Sequence, residues 1–441
     1  MKTREMFSAI IWRKITNFAP LKLTIKNTYK MTENRPADNK VLPVSPLVKW
    51  IGVLDYDIVT FDVVMTTEYG TTYNSYFIDA HKKAVVETTK EKFWDVYLNK
   101  LQQVCNPADI EYIILNHTEP DHSGNVGNLL KIAPKAQVVG SGQAIRYMKD
   151  LLGYDFPHII VKDGDKLSLG NTELTFISAP NLHWPDSMYT WMESEGVLFT
   201  CDSFGAHYCD EKMYDNQVEN YDDAFTYYFD VILKPYSKFL LKAIDKISHL
   251  NIKTICTGHG PLLTENWKRI VDLSKEYALK ATAQPDSVYA FIPYVSAYGK
   301  TGMIAQAIGE GMKSVNPDII VDVQDIENTS LGELDEKLSR SKAIVVGCPT
   351  INQNILLPVY KLFALISPIR DRGKVGGAFG SYGWSGEGEN LIFAVMKNLK
   401  LEMVEEPVFV KFTPHKPQLE QARQYGKALA EKMISKSCDS E

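Results

Sequence analysis

Residues 117–122 read His117-Thr118-Glu119-Pro120-Asp121-His122, following the apolar run Tyr112-Ile113-Ile114-Leu115. Two imidazoles and two carboxylates within six residues is a donor density that a solvated loop does not need. On an extended segment His117 and Glu119 project to the same side. Pro120 ends the extended run and lets Asp121 and His122 turn toward a second point. One short loop is thereby able to serve two metal ions.

Three more candidates also follow apolar runs: His183 after LTFISAPNL, Asp202 after VLFTC, and His259 after TICTG. Loops at the strand ends of a layered sheet converge in space, so these residues are expected to meet the first group. The set is four histidines and three carboxylates. Imidazole mixed with hard oxygen donors, and no thiolate, favours iron or manganese over a structural zinc site. Cys201, beside Asp202, reads as a small buried hydrophobe rather than a ligand. The isolated His81, His158 and His249 read as surface or satisfied core residues. His207 and Tyr208, five and six residues past Asp202, lie either near a substrate pocket or on a surface loop.

Around these residues the chain from about 48 to 260 is β-rich. Segments 58–66 and 74–88 have the β-branched and aromatic content of strands, and 92–104 has helical apolar spacing. Residues 264–286 read as a helix running into the polar linker ATAQPDS. Beyond it, strand and helix alternate strictly. Strands are expected at SVYAFIPYV, DIIVDVQDI, AIVVGCP, KVGGAFGS and LEMVEEPVFVKF, and helices at 302–313, 331–340, 355–367, 387–400 and 417–434. The fourth helix is expected to bury Leu391, Val395 and Leu399. Five such units describe a doubly wound parallel sheet.

The first strand of this half leads into Ser296-Ala297-Tyr298-Gly299-Lys300-Thr301, which opens a helix. Hydroxyls and backbone N–H groups at a helix N-terminus hold a phosphate. A triphosphate-binding loop is excluded, because the glycine required five residues before Gly299 is Tyr294. The third and fourth strands lead into Pro349-Thr350-Ile351-Asn352 and Ser381-Tyr382-Gly383-Trp384-Ser385-Gly386. These loops lie beside the phosphate site at the sheet's switch point. Tyr382 and Trp384 are placed to flank an aromatic ring system, unless Trp384 belongs to the core.

At 441 residues, with 45% hydrophobic and 23% charged residues, the chain fits two or three globular domains. Its net charge of -6 argues against nucleic acid or an acidic membrane surface as partner. Six cysteines without a C-x-x-C pair exclude a rubredoxin or zinc ribbon and fit a reducing, cytoplasmic compartment. No apolar run has the length of a membrane span. The first thirty residues hold seven Lys/Arg and one acid. They read either as an organellar leader or as translation begun upstream of Met31. The expected organisation is an extension over 1–45, a first domain over 46–285 and a second over 286–441.

The motif HTEPDH resembles the H-x-E-x-D-H motif of the flavodiiron proteins (A-type flavoproteins), in a short form without a fused rubredoxin domain. Zinc hydrolases of the same superfold have H-x-H-x-D-H, so Glu119 is the distinguishing residue. The spacing to later ligands agrees, with 60 residues between His122 and His183 and 18 between His183 and Asp202. The resemblance covers residues 48–435. It implies an N-terminal metallo-β-lactamase-like αββα domain and a C-terminal flavodoxin-like domain. It also implies one iron on His117, Glu119 and His183, a second on Asp121, His122 and His259, and Asp202 bridging them. FMN is implied in the second domain, its isoalloxazine between the second and third loops. The implied activity is reduction of dioxygen to water, nitric oxide to nitrous oxide, or both. The implied assembly is a head-to-tail homodimer or a dimer of dimers, fed by rubredoxin or a similar carrier. No G-x-G-x-x-G unit is present, so NADH is not expected to be a direct donor. The competing reading is a metallo-β-lactamase-type zinc hydrolase fused to an electron-transfer flavodoxin module.

Overall fold

The apolar run before the His117 motif is a strand, Ile110–Leu115, and its side chains alternate between two cores. Tyr112 and Ile114 face one apolar layer, and Ile113 and Leu115 face another. A strand buried on both faces carries apolar residues at nearly every position, which is why the run is unbroken. In this computed structural model residues 38–61, 65–283 and 288–438 are described. The basic stretch 1–30 and the centre of the linker, 284–287, with the domain boundary expected there, lie outside them.

Ile110–Leu115 belongs to a seven-stranded sheet. Its order is Leu42–Pro43, Val48–Trp50, Tyr76–Ile78, Lys83–Val86, Ile110–Leu115, Gln137–Ser141 and His158–Val161. A five-stranded sheet follows, ordered Lys166–Ser168, Glu173–Ser178, Met188–Met192, Val197–Cys201 and Thr254–Thr257. Trp50, Tyr76 and Ile114 of the first sheet meet Phe176, Met188 and Phe199 of the second in one core. The outer face of the first sheet is covered by Tyr97, Leu129 and Met148 from helices, and that of the second by Phe225, Leu240 and Ile270. The result is the expected four-layered αββα arrangement.

The C-terminal sheet runs Ile320–Asp325, Tyr289–Tyr294, Ala343–Thr350, Val375–Tyr382, with Glu402–Met403 and Val408–Lys411 both pairing the last of these. All pairings are parallel. In chain order this is 2-1-3-4-5, a doubly wound sheet whose switch point lies between Tyr289–Tyr294 and Ala343–Thr350. Alternate residues of Tyr289–Tyr294 feed the two cores: Phe291 faces one and Ile292 the other.

Four local expectations are corrected. Segment 58–66 is not one strand but two short antiparallel ones, Thr60–Phe61 and Met65–Thr66. Segment 74–88 folds back as Tyr76–Ile78 against Lys83–Val86, around a turn with no Gly or Pro to announce it. The fifth strand of the C-terminal half divides into Glu402–Met403 and Val408–Lys411, with Glu406 at φ +59 before Pro407. In the helix Gly388–Asn398 the buried stripe is Ile392 and Met396, one residue on from the expected face; Leu391, Val395 and Leu399 are only partly buried. No helix among the described residues is long and apolar enough to cross a membrane.

Candidate metal centre and flavin cleft

Pro120 does not merely end the strand: it opens a single helical turn, Pro120–Ser123, at a position where its missing N–H costs nothing. Thus His117 and Glu119 sit on extended backbone, while Asp121 and His122 sit on the first turn of a helix. Asp202 is aimed differently. The strand register shifts between Phe199 and Cys201, and Cys201 takes φ +48, so the chain kinks just before Asp202. At the end of Thr254–Thr257, a side chain on Gly258 would meet His122 Cε1 at 2.8 Å and Asp202 Oδ1 at 3.2 Å. Only glycine lets His259 close on the group.

The structure brings all seven residues together in two sets. His117 Nε2 lies 3.2 Å from Glu119 Oε2 and 3.6 Å from Asp202 Oδ2. His183 Nε2 lies 3.0 Å from Glu119 Oε2 and 3.1 Å from the same Asp202 Oδ2. In the other set, His122 Nε2 lies 3.0 Å from Asp202 Oδ1 and 3.4 Å from Asp121 Oδ2. His259 Nε2 lies 3.1 Å from Asp121 Oδ2 and 3.5 Å from Asp202 Oδ1. One carboxylate of Asp202 therefore faces both sets, one oxygen to each.

These contacts do not satisfy the interior. Both oxygens of Asp121 and both ring nitrogens of His122 are buried without a hydrogen-bond partner. Orphaned polar atoms at this density, with nitrogen and carboxylate donors converging within 4.8 Å in each set, fit a pair of metal ions. Burial works against charge on Glu119, but His117 and His183 outweigh it and hold the carboxyl at about 2. Burial likewise opposes a proton on His183, yet Asp202 and Glu119 raise it to about 9. The carboxylates thus hold protons on imidazoles where a cation fits. Burial pushes the Cys201 thiol well up, and its Sγ converges with Glu87 and His122 in a third, overlapping group.

His207 is buried, with Nδ1 2.9 Å from Thr71 Oγ1 and its ring 5.1 Å from that of His259. Burial, then the neighbouring His259, keeps it neutral. Tyr208 turns the other way and packs between Tyr69 and Tyr221. Sequence reasoning missed Tyr228, whose ring lies 4.9 Å from His207 and 6.1 Å from His259. It also missed Trp184, 5.2 Å from His117, and the buried carboxylates Glu87 and Asp186. None stands in a motif. Only Trp184, next to His183, had a positional hint.

In the C-terminal half the three expected loops enclose a cleft of about 550 Å³. Ala297, Tyr298 and Lys300, residues from Pro349 to Asn352 and residues from Ser381 to Ser385 line it, with Phe412 and Thr413 added just after the strand Val408–Lys411. Four expected residues, Ser296, Gly299, Thr301 and Gly386, are not on its wall. Ser296 Oγ instead accepts from the Gly302 N–H, and Thr301 is buried with its hydroxyl 2.9 Å from Ser381 Oγ. Gly299, at φ +73, starts the helix Lys300–Val315 from the left-handed conformation. Trp384 is 73% and Tyr298 88% exposed, so Trp384 is not core. Two large aromatics are thus left bare at the mouth of the cleft.

Comparison with known proteins agrees with both halves. The family described as ODP family beta lactamase matches residues 71–260, and the flavodoxin family matches residues 292–426. A flavo-diiron protein of Clostridium acetobutylicum is 36% identical over 385 residues, covering 86% of this chain and 96% of the relative. A type A flavoprotein of Rhodobacter capsulatus is 37% identical over 404 residues, covering 90% and 93%. Among solved structures, rubredoxin:oxygen oxidoreductase from Desulfovibrio gigas superposes with a TM-score of 0.64 at 27% identity, covering 90% of this chain and 99% of that one. The flavodiiron protein from Giardia intestinalis gives 0.62 at 26% identity, covering 91% and 98%.

Proposed function

The chain belongs to the flavodiiron, or type A flavoprotein, family, and from that premise we propose how its residues divide the work of an oxidoreductase that reduces dioxygen, nitric oxide, or both. One observation carries the reading: Asp202 turns one oxygen to His117 and His183 and the other to His122 and His259. In this assignment His117, Glu119 and His183 hold one iron, Asp121, His122 and His259 hold the other, and Asp202 spans them. Iron and FMN, when bound, supply the electron transfer and the open coordination positions for a two-atom substrate. Glu119, where a zinc hydrolase of this superfold carries histidine, disfavours the hydrolase alternative.

The protein's own groups orient and seal. Phe61, Tyr73 and Trp184 pack edge-to-face against the ligand imidazoles of His259 and His117. Glu119 and His183 are the most exposed of the seven side chains, at 12% and 15%, so the centre opens on their side. Burial, reinforced by Asp202, keeps the Tyr228 phenol protonated, on a ring 6.1 Å from that of His259. In the second domain, the turn before Lys300–Val315 receives the FMN phosphate, and the loops with Ile351 and Trp384 receive its ring system.

Protein produced with iron available is expected to contain two irons and one FMN per chain, matching the two donor sets and the one cleft. Metal analysis with the visible spectrum checks this. Stoichiometric zinc in place of iron would return the hydrolase alternative.

The domain division near 285 and the assembly are part of the same proposal. The metal centre and the flavin cleft lie at strand ends of different sheets, so a head-to-tail homodimer, or a pair of such dimers, supplies the short path between them. Electrons enter from a separate carrier, rubredoxin being the first candidate. Mixing chains disabled at iron with chains disabled at FMN is expected to restore turnover in heterodimers. Verified heterodimers that stay inactive would exclude transfer between subunits.

A further inference from the structure

The loop that presents His117 is gripped from both sides by carboxylates that neither donor set uses. Glu87, buried, takes the Asn116 N–H on Oε1 at 2.8 Å. Asp186, also fully buried, accepts from both the Thr118 N–H at 2.8 Å and the Thr118 hydroxyl at 2.7 Å, all on Oδ2. Its other oxygen, Oδ1, has no hydrogen-bond partner. Neither has His117 Nδ1, and the two lie 3.4 Å apart.

A proton on His117 Nδ1 places a donor 3.4 Å from this unpartnered oxygen. It also leaves Nε2 with a free lone pair, on the side of Glu119 and Asp202. We propose that Asp186 is a positioning residue for the first metal position: it fixes His117 as the Nδ1–H tautomer and aims Nε2 at the ion. The inference rests on the metal site proposed above and deepens it. His259 has a different backing, the neutral carbonyl of Thr72, 2.6 Å from its Nδ1. The two metal positions are therefore built unequally. A carboxylate behind an imidazole makes it the better donor and adds negative charge near the ion. Asp186 would accordingly tighten binding at the first position and favour the oxidised ion there.

The substitution that separates positioning from scaffolding is Asp186→Asn. Its amide oxygen can still take the Thr118 bonds. The amide NH₂ then faces His117 Nδ1 and favours the tautomer with its proton on Nε2, where the ion must bind. Cobalt(II) is titrated into metal-free full-length protein against a competing chelator. Iron-loaded protein is then followed through a redox titration by electron paramagnetic resonance, with FMN content and melting of the metal-free protein recorded alongside. Asp186→Asn is expected to weaken one of two cobalt sites by roughly 10–100-fold. The midpoint potential should rise, with FMN unchanged. Asp186→Glu, which keeps a carboxylate, should recover most of the affinity, and it carries the test if the asparagine variant does not fold.

Unchanged cobalt affinity and potential in Asp186→Asn, with only the melting temperature lowered, would make Asp186 a clamp on Thr118 and overturn the proposal. Wild-type protein that binds fewer than two cobalt ions would instead overturn the metal site itself, and the proposal with it.

Discussion

Asp202→Ala is expected to empty both metal positions, whereas His259→Ala empties one. Asp202 Oδ2 approaches the ligand nitrogens of His117 and His183 at 3.6 and 3.1 Å, and Oδ1 those of His122 and His259 at 3.0 and 3.5 Å. Deleting it removes a donor from each set and one of the three carboxylates that balance two divalent charges. Four buried imidazoles then share Glu119 and Asp121, with Asp186 behind His117. The ions contribute several kcal/mol of the catalytic effect, so turnover should fall on the order of 10³-fold or more. His259 faces only Asp121 and one oxygen of Asp202, so its loss leaves the set of His117, Glu119 and His183 intact. The check is iron per chain together with steady-state consumption of dioxygen and nitric oxide. FMN content is the internal control, because the cleft is built from residues 297–413. Two firmly held irons in Asp202→Ala would rule out a bridging role.

How much of this was legible in the sequence depends on whether a residue's environment was written beside it. His117 to His122 announced themselves because four donors fall within six residues. His183, Asp202 and His259 were legible because each follows an apolar run that reads as a strand. Glu87 and Asp186 were not. Each is a single acid in a stretch without periodicity, and only the fold turns the one toward Asn116 and the other toward Thr118. Tyr228 comes 26 residues after Asp202, on a helix whose approach to His207 is tertiary. The flavin loops were placed by topology, since strand order fixes which loops adjoin the switch point. Phe412 was missed because LEMVEEPVFVKF was read as one strand, although Pro407 removes a ladder donor inside it. The hairpin 74–88 carries no comparable warning, and composition alone does not mark its turn.

The second large effect is expected far from either cofactor. Asp371→Ala should destabilise the C-terminal half by about 3–5 kcal/mol, the cost of leaving buried charge unpaired. Asp371 is fully buried and accepts from the Ser367 N–H and from Nε and Nη2 of Arg370, at 2.9, 3.0 and 2.9 Å. Lys374 Nζ lies 2.8 Å from its Oδ1. Arg370 also reaches Asp335, and Lys374 the carbonyls of Leu338 and Ser339, so the network ties this turn to the helix Leu331–Arg340. Without Asp371, Lys374 keeps only neutral partners at hydrogen-bond range and Arg370 keeps Asp335. Burial pushes the Lys374 ammonium down even with Asp371 beside it, because the lysine shares one anion with Arg370. The same burial acting on Asp371 is outweighed by two cations, and its carboxyl is held below the ordinary range. A lowered folded pKa contributes stability above the unfolded value of about 4, lost as pH falls through the folded one. The gap between wild type and variant should therefore be constant from neutral pH down to about 5 and close in stronger acid. The turn leads into Val375–Tyr382, whose far end carries the loop with Trp384, so unfolding here releases the flavin. Thermal release of FMN, read by its fluorescence, should occur on the order of 10 °C lower in the variant. A shift of only a degree or two at neutral pH would mean that the network behaves as a solvated surface pair.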